Sequence, residues 1–140
     1  MIRWVGWMVM GPIVVVLGLG WWADARRMHS VIMRVQVSPE RVPADGISSA
    51  RVTVRVFDEA GRPRAGDVIE MLNTGPGILD RFRAQTDNQG MAGFTFTSAH
   101  SNAYRPAGPV TLIVTNTSIG RVIEVTKTAL AVIKTVEPTP

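Results

Sequence analysis

From Trp4 to Ala23 the chain reads WVGWMVMGPIVVVLGLGWWA, 20 residues without a charge. A helix needs about 20 apolar residues to cross the hydrocarbon core of a bilayer. All four tryptophans lie in this run, Trp4 and Trp7 at one end and Trp21 and Trp22 at the other. Tryptophan settles at the headgroup level, where its ring is in an apolar layer and its N–H in a wet one. The pattern predicts a single-pass membrane anchor over residues 1–27, bound to lipid, with Arg26 and Arg27 as a basic flank. A cleaved signal peptide is the competing expectation, because Ala23-Asp24-Ala25 has the small-x-small form of a cleavage site. The run is longer than the apolar region of about 7–15 residues that a signal uses, and bulky Trp21 and Trp22 precede the site, so a retained anchor is favoured. Arg3 on one side and Arg26 and Arg27, offset by Asp24, on the other leave the orientation unsettled. Gly11 and Gly18 share a helix face, but no GxxxG pair is present, so the sequence leaves the oligomeric state open.

The remainder is a different material. Residues 28–140 carry 12 basic and 10 acidic side chains, a balance of +2, which points away from a nucleic-acid partner. The absence of cysteine excludes a disulfide framework, a thiolate metal site and a thiol nucleophile. Short alternating runs between turn residues dominate, the pattern of half-buried strands. Val31–Val37, Ala50–Phe57, Asp67–Leu72, Arg81–Thr86, Met91–Ser98, Pro109–Asn116 and Arg121–Lys134 are predicted strands. In Arg81–Thr86, Phe82 and Ala84 alternate against Arg81, Arg83 and Gln85. Ser38 to Ser49, Thr74–Gly77 and Ala99–Gly108 are expected connectors, and 137–140 a disordered tail. Seven or eight strands at this spacing make an all-β sandwich over residues 28–136.

The order of several turn motifs is more specific than any one of them. Pro43-Ala-Asp-Gly46 precedes Ser48-Ser-Ala50 and the strand Val52-Thr-Val-Arg-Val56. Asp58-Glu-Ala-Gly-Arg-Pro63 follows, then Thr86-Asp-Asn-Gln-Gly90 leading into Ala92-Gly-Phe-Thr-Phe-Thr97, and finally Gly108-Pro-Val-Thr-Leu-Ile-Val-Thr115. From Val37 to Val132 this resembles the bacterial immunoglobulin-like (Ig-like) domains of the invasin and intimin type. The second half is also similar to the carboxypeptidase regulatory-like sandwich. The first resemblance implies an Ig-like antiparallel β-sandwich preceded by one transmembrane-type helix, displayed outside the cytoplasm of a bacterium as a spacer or adhesive module. Such domains usually occur in tandem, whereas this sequence holds one copy, which favours a subunit of an assembly. The turns themselves need no family: Asp bonds the backbone two residues on and Gly supplies positive φ. Asp58, Glu59 and Asp87 could offer oxygens to calcium, but the alternating acids of a calcium loop are missing, so structural turns are expected.

Signatures of catalysis are lacking. His29 and His100 are the only histidines, and no G-x-S-x-G, P-loop, dinucleotide fingerprint or HExxH motif occurs, so no catalytic residue, cofactor or metal ligand is assigned. Recognition residues are better candidates. Tyr104, the only tyrosine, and Arg105 lie in the long loop 99–108, and both residue types are enriched at interfaces. Arg51 and Arg55 share one outward face, and Arg81 and Arg83 another, so neighbouring strands would form a cationic patch for anionic headgroups or acidic wall polymers. Solvated strand faces that guard against edge aggregation are the plainer expectation for these arginines. The function expected is a non-catalytic, membrane-anchored module, structural, adhesive or protein-binding, with other protein subunits or surface polymers as partners. Two further readings stand beside it: a pilus-like filament subunit whose N-terminal helix packs in a filament core, and an accessory or glycan-binding domain of a membrane complex.

Overall fold

A computed structural model describes residues 15–16, 18–23, 25–26, 30–119 and 126–138. Among them run nine strands: β1 (Ile32–Ser38), β2 (Arg41–Pro43), β3 (Ser49–Phe57), β4 (Val68–Asn73), β5 (Gly77–Leu79), β6 (Arg83–Gln85), β7 (Met91–Ser98), β8 (Pro109–Asn116) and β9 (Lys127–Val136). They form two sheets, one ordered β1-β3-β7-β5 and the other β2-β9-β8-β4-β6. Pairing is antiparallel throughout except between β2 and β9, which run parallel. The expected all-antiparallel sandwich is corrected at that one ladder.

Strict alternation drives the assembly. Val52, Val54 and Val56 of β3 and Phe94 and Phe96 of β7 point inward from the first sheet. Ile69 and Met71 of β4, Val110, Leu112 and Val114 of β8, and Ile133 of β9 meet them from the second. Valine is stiff at χ1 and packs well on a pleated surface, so one face of each strand buries while the other stays wet. Fully burying one such side chain stabilises the fold by about 1.5–3 kcal/mol.

Two D-x-x-G turns have the same construction. In each, the Gly amide bonds the Asp carbonyl, Gly61 to Asp58 at 3.0 Å and Gly90 to Asp87 at 2.9 Å. Each Asp side chain caps backbone amides, Asp58 those of Ala60 and Arg62, Asp87 those of Gln89 and Met91. Each Gly has positive φ, 76° at Gly61 and 69° at Gly90. These carboxylates are engaged in turn chemistry, as the sequence leads one to expect.

Four expectations are corrected. The connector Ser38–Ser49 contains β2, whose Val42 is buried and whose partner is the end of β9. The break at Thr74–Gly77 leads straight into β5, which pairs with β7. The strand expected at Arg81–Thr86 shrinks to β6, and Phe82 is exposed rather than sharing an inner face with Ala84. Glu137, expected in a disordered tail, is held in place: it accepts a hydrogen bond from Ser101 Oγ at 2.7 Å and one from the Ala107 amide at 3.2 Å.

At the N-terminus the described residues between 15 and 26 are helical. Trp21 and Trp22 are exposed, and the Arg26 guanidinium lies 3.9 Å from the Trp22 ring centroid. Among the described residues no helix is long and apolar enough to cross a membrane. The transmembrane-type helix expected over 1–27 therefore has no counterpart among them. Most of the apolar run, with Trp4 and Trp7, lies outside the described residues, as do 121–125 of the last predicted strand.

Candidate functional site

The loop between β7 and β8 is braced at its base and open at its tip. At the base, the Ser101 amide bonds Ala44 O at 2.8 Å, and the Gly108 amide bonds Thr135 Oγ1 at 2.9 Å. Glu137 closes the same end of the sandwich. The Ser101 hydroxyl and the Ala107 amide hold its carboxyl below the usual glutamate range, with His100 adding a favourable charge. At the tip, Asn102 and Arg105 exchange two backbone bonds of 2.9 Å, and Asn102 Oδ1 accepts from the amides of Tyr104 and Arg105. This local closure lifts the Tyr104 side chain into solvent, where it is 99% exposed. Tyr104 and Arg105 are thus carried side by side on a turn with fixed geometry.

The four patch arginines divide differently from the sequence expectation. Arg51 and Arg55 do share the outer face of the first sheet. Arg81 joins them there: Arg51, Thr53, Arg55, Asp80, Arg81 and Asp87 rim a shallow groove of about 450 Å³. Arg83 does not. It sits on β6 in the other sheet, opposite Glu70 in register and 3.8 Å from its carboxylate. The pairing of Arg81 with Arg83 is corrected because the chain crosses from β5 in one sheet to β6 in the other between them.

Two residues at or beside the groove escaped sequence reasoning. Arg34 of β1 lies directly opposite Arg55 and is also exposed. Val31–Val37 does show Arg34 on the outer face, but only the β1–β3 register brings it to Arg55. Asp80, also unnoticed in the sequence, bonds the Thr95 amide at 2.8 Å and Arg81 Nε at 2.9 Å. Partial burial raises its pKa, and the Thr95 amide and Arg81 outweigh that, so its carboxyl titrates below the usual range.

At the opposite end of the sandwich a buried polar cluster ties three strands. Asp67 accepts from Arg64 Nε and from Asn116 Nδ2, each at 2.8 Å, and Thr86 Oγ1 receives the Asp67 amide while donating to Arg64 O. Every partner is internal, so this cluster is structural. Among the described residues no group of three acidic or histidine side chains is placed to hold a metal ion.

Two sheets, a β3–β7 inner pair and a parallel β2–β9 edge define an immunoglobulin-like sandwich of the bacterial kind. The chain belongs to the family described as "Bacterial Ig-like domain (group 1)", whose profile matches residues 32–128. Solved structures agree on the fold. The D00-D0 domain of intimin is similar at 18% identity with a TM-score of 0.61, covering 77% of this chain and 48% of that one. A C-terminal 282-residue fragment of intimin, in complex with the intimin-binding domain of the translocated intimin receptor, is similar at 19% identity and a TM-score of 0.56, over 76% of this chain and 33% of that one. A glycosyl hydrolase family 2 member from Bacteroides cellulosilyticus is similar at 13% identity and a TM-score of 0.60, over 75% of this chain but only 14% of its own. This chain therefore spans about half or less of the proteins it resembles. No curated protein sequence matches it. The invasin and intimin resemblance in the sequence is borne out.

Proposed function

We propose that this chain is a non-catalytic module of a bacterial surface, binding a protein partner through the loop at one end of its sandwich. The observation that carries the reading is the Tyr104–Arg105 turn: a fully exposed tyrosine on a loop braced by Ser101, Gly108 and Glu137. A rigid aromatic anchor loses little conformational freedom on binding, so it suits recognition. Intimin, whose domains share the fold, supplies a precedent in which such a protein is bound to a receptor domain. The division into an apolar segment at 1–27, a sandwich at 28–136 and a short tail belongs to the same proposal. So does anchoring of the chain in the bacterial membrane, with Trp4, Trp7, Trp21 and Trp22 at its two faces and the sandwich extracellular or periplasmic.

Site-specific photocrosslinking tests the binding reading. A benzoylphenylalanine at position 104 of the full chain, in its native cells, is expected to yield a discrete protein adduct. The same group at Glu59, an exposed position in the D-x-x-G turn after β3, is expected to yield none. Identical adduct patterns from both positions would remove the loop as the binding surface.

A further inference from the structure

The outer face of the first sheet carries charge that the fold does not use. Arg62, Arg64, Arg81 and Arg83 each meet a carboxylate, of Asp58, Asp67, Asp80 and Glu70 in turn. Arg34, Arg51 and Arg55 meet none among the described residues. The Arg34 guanidinium lies over the Phe57 ring, 5.9 Å from its centroid. Arg34 and Arg55 face each other across the β1–β3 ladder, where directly opposed side chains stand about 5 Å apart at Cβ and like charges destabilise the pairing. Arg51 lies four residues from Arg55 on the same strand, about 13 Å along it. This is a row of guanidinium groups with no ion pair among the described residues, beside the Asp80–Arg81 pair and with Asp87 on the rim of the same groove.

The floor between them is open. Thr53 pairs with Gly93 in register, and both line the groove with Thr95. A β-carbon built at Gly93 meets nothing within 4 Å, and its φ is not positive, so neither space nor backbone conformation calls for glycine there. Its effect is to leave the strand backbone accessible between two rows of polar side chains. None of the groove's lining residues is an exposed large hydrophobic side chain. A protein interface of ordinary kind has an apolar or aromatic centre, and a membrane-binding face has an apolar wedge; the groove has neither, and the exposed Ile32 and Ile78 of the same sheet face lie outside its lining.

We infer that this groove binds an acidic polysaccharide, with Arg51 and Arg55 on its rim and Arg34 beside it receiving its carboxylates and Thr53 and Thr95 its hydroxyls. A planar guanidinium takes a carboxylate with two parallel hydrogen bonds, which a diffuse positive surface does not. The chain lies along β3 and reaches both Arg51 and Arg55. The inference rests neither on the anchor nor on the Tyr104 loop, and its site is on a different face.

The test uses the full chain in a neutral detergent, with polygalacturonate, neutral dextran and poly-glutamate as probes, read by calorimetry. Polygalacturonate is expected to bind, more weakly as salt is raised, because exposed charges are screened. Dextran is expected not to bind, and poly-glutamate to bind about tenfold less well, since it lacks the sugar hydroxyls. Replacing Arg51→Gln and Arg55→Gln together is expected to weaken polygalacturonate binding about tenfold, and Arg62→Gln with Arg83→Gln less than about twofold. Gly93→Thr is expected to weaken binding with an unchanged melting temperature, because it fills the floor and suits a strand. Absence of polygalacturonate binding would overturn the inference. So would an equal loss in the two arginine pairs, which would mean diffuse charge, or a preference for poly-glutamate, which would mean an acidic protein.

Discussion

Gly90 lies so close to Val56 that a β-carbon at position 90 would stand 2.5 Å from the Val56 carbonyl oxygen. The contact is built from both sides, because the Val56 amide donates to Gly90 O at 2.8 Å. The D-x-x-G turn before β7 thereby docks on the end of β3, and the two strands that supply most of the core's valine and phenylalanine are clamped at one end. The matching turn at Asp58–Gly61 lacks this docking: a β-carbon at Gly61 meets nothing within 4 Å.

The two glycines should therefore respond differently to alanine. Gly61→Ala is expected to cost about 1 kcal/mol, the penalty for positive φ alone. Gly90→Ala adds a backbone collision and is expected to cost about 2–3 kcal/mol. Urea unfolding of the two variants checks this, and equal losses would mean that the docking contributes nothing.

Alternation along β8 and β9 gives a second contrast. Leu112 is fully buried, whereas Leu130, across the ladder from Ile113, is 68% exposed. Leu112→Ala is expected to cost about 3 kcal/mol through lost transfer energy and a residual cavity. Leu130→Ala is expected to stay within about 0.5 kcal/mol. A large loss at Leu130 would mean that the outer face of the second sheet is covered.

Strands with long alternation were legible in the sequence because each repeats its inward residue three or four times, as Val52, Val54 and Val56 do. The three-residue strands were not. β2 offers one inward side chain, Val42, and becomes a strand only because the end of β9, more than 90 residues away, lies beside it. β5 likewise exists through its ladder with β7. The same non-locality split the candidate site. Arg81 and Arg83 read as one face of one strand, yet a sheet crossing separates them. Arg34 came beside Arg55 only through register. The Tyr104–Arg105 turn was legible, because a lone tyrosine beside an arginine in a long loop is a local signal.

The Asp67 cluster should be the most sensitive polar site. Its carboxylate is 7% exposed and holds both Arg64 and Asn116. Asp67→Ala strands these donors and is expected to cost about 3 kcal/mol. Arg62→Ala, which removes the partner of the more exposed Asp58, is expected to cost less than about 1 kcal/mol. Thermal unfolding of both variants distinguishes them.

Acid should loosen the loop end of the sandwich first. The Ser101 hydroxyl and Ala107 amide lower the Glu137 pKa. The hydroxyl and amide of Ser48, with the amide of Ile47, hold Asp45 far below the usual range. A carboxyl depressed in the folded state stabilises it fully above the unfolded pKa of about 4 and loses that contribution as pH falls through the folded value. Glu137 is displaced less far than Asp45, so on acidification the amide resonance of Ala107 is expected to shift before that of Ser48. Glu137→Gln should abolish the Ala107 titration. An Ala107 titration unchanged in that variant would contradict the bracing of the loop.

Display of the sandwich beyond the cytoplasm is the central claim, and the lack of cysteine makes it directly measurable. Tyr104→Cys places a single thiol at a side chain that is 99% exposed. Cells expressing the full chain are treated with a membrane-impermeant maleimide, intact or with only the outer membrane opened, and the labelled chain is checked for its N-terminal peptide. The expected result is labelling of the full-length chain before the cytoplasmic membrane is breached. Labelling only after complete lysis would contradict the account.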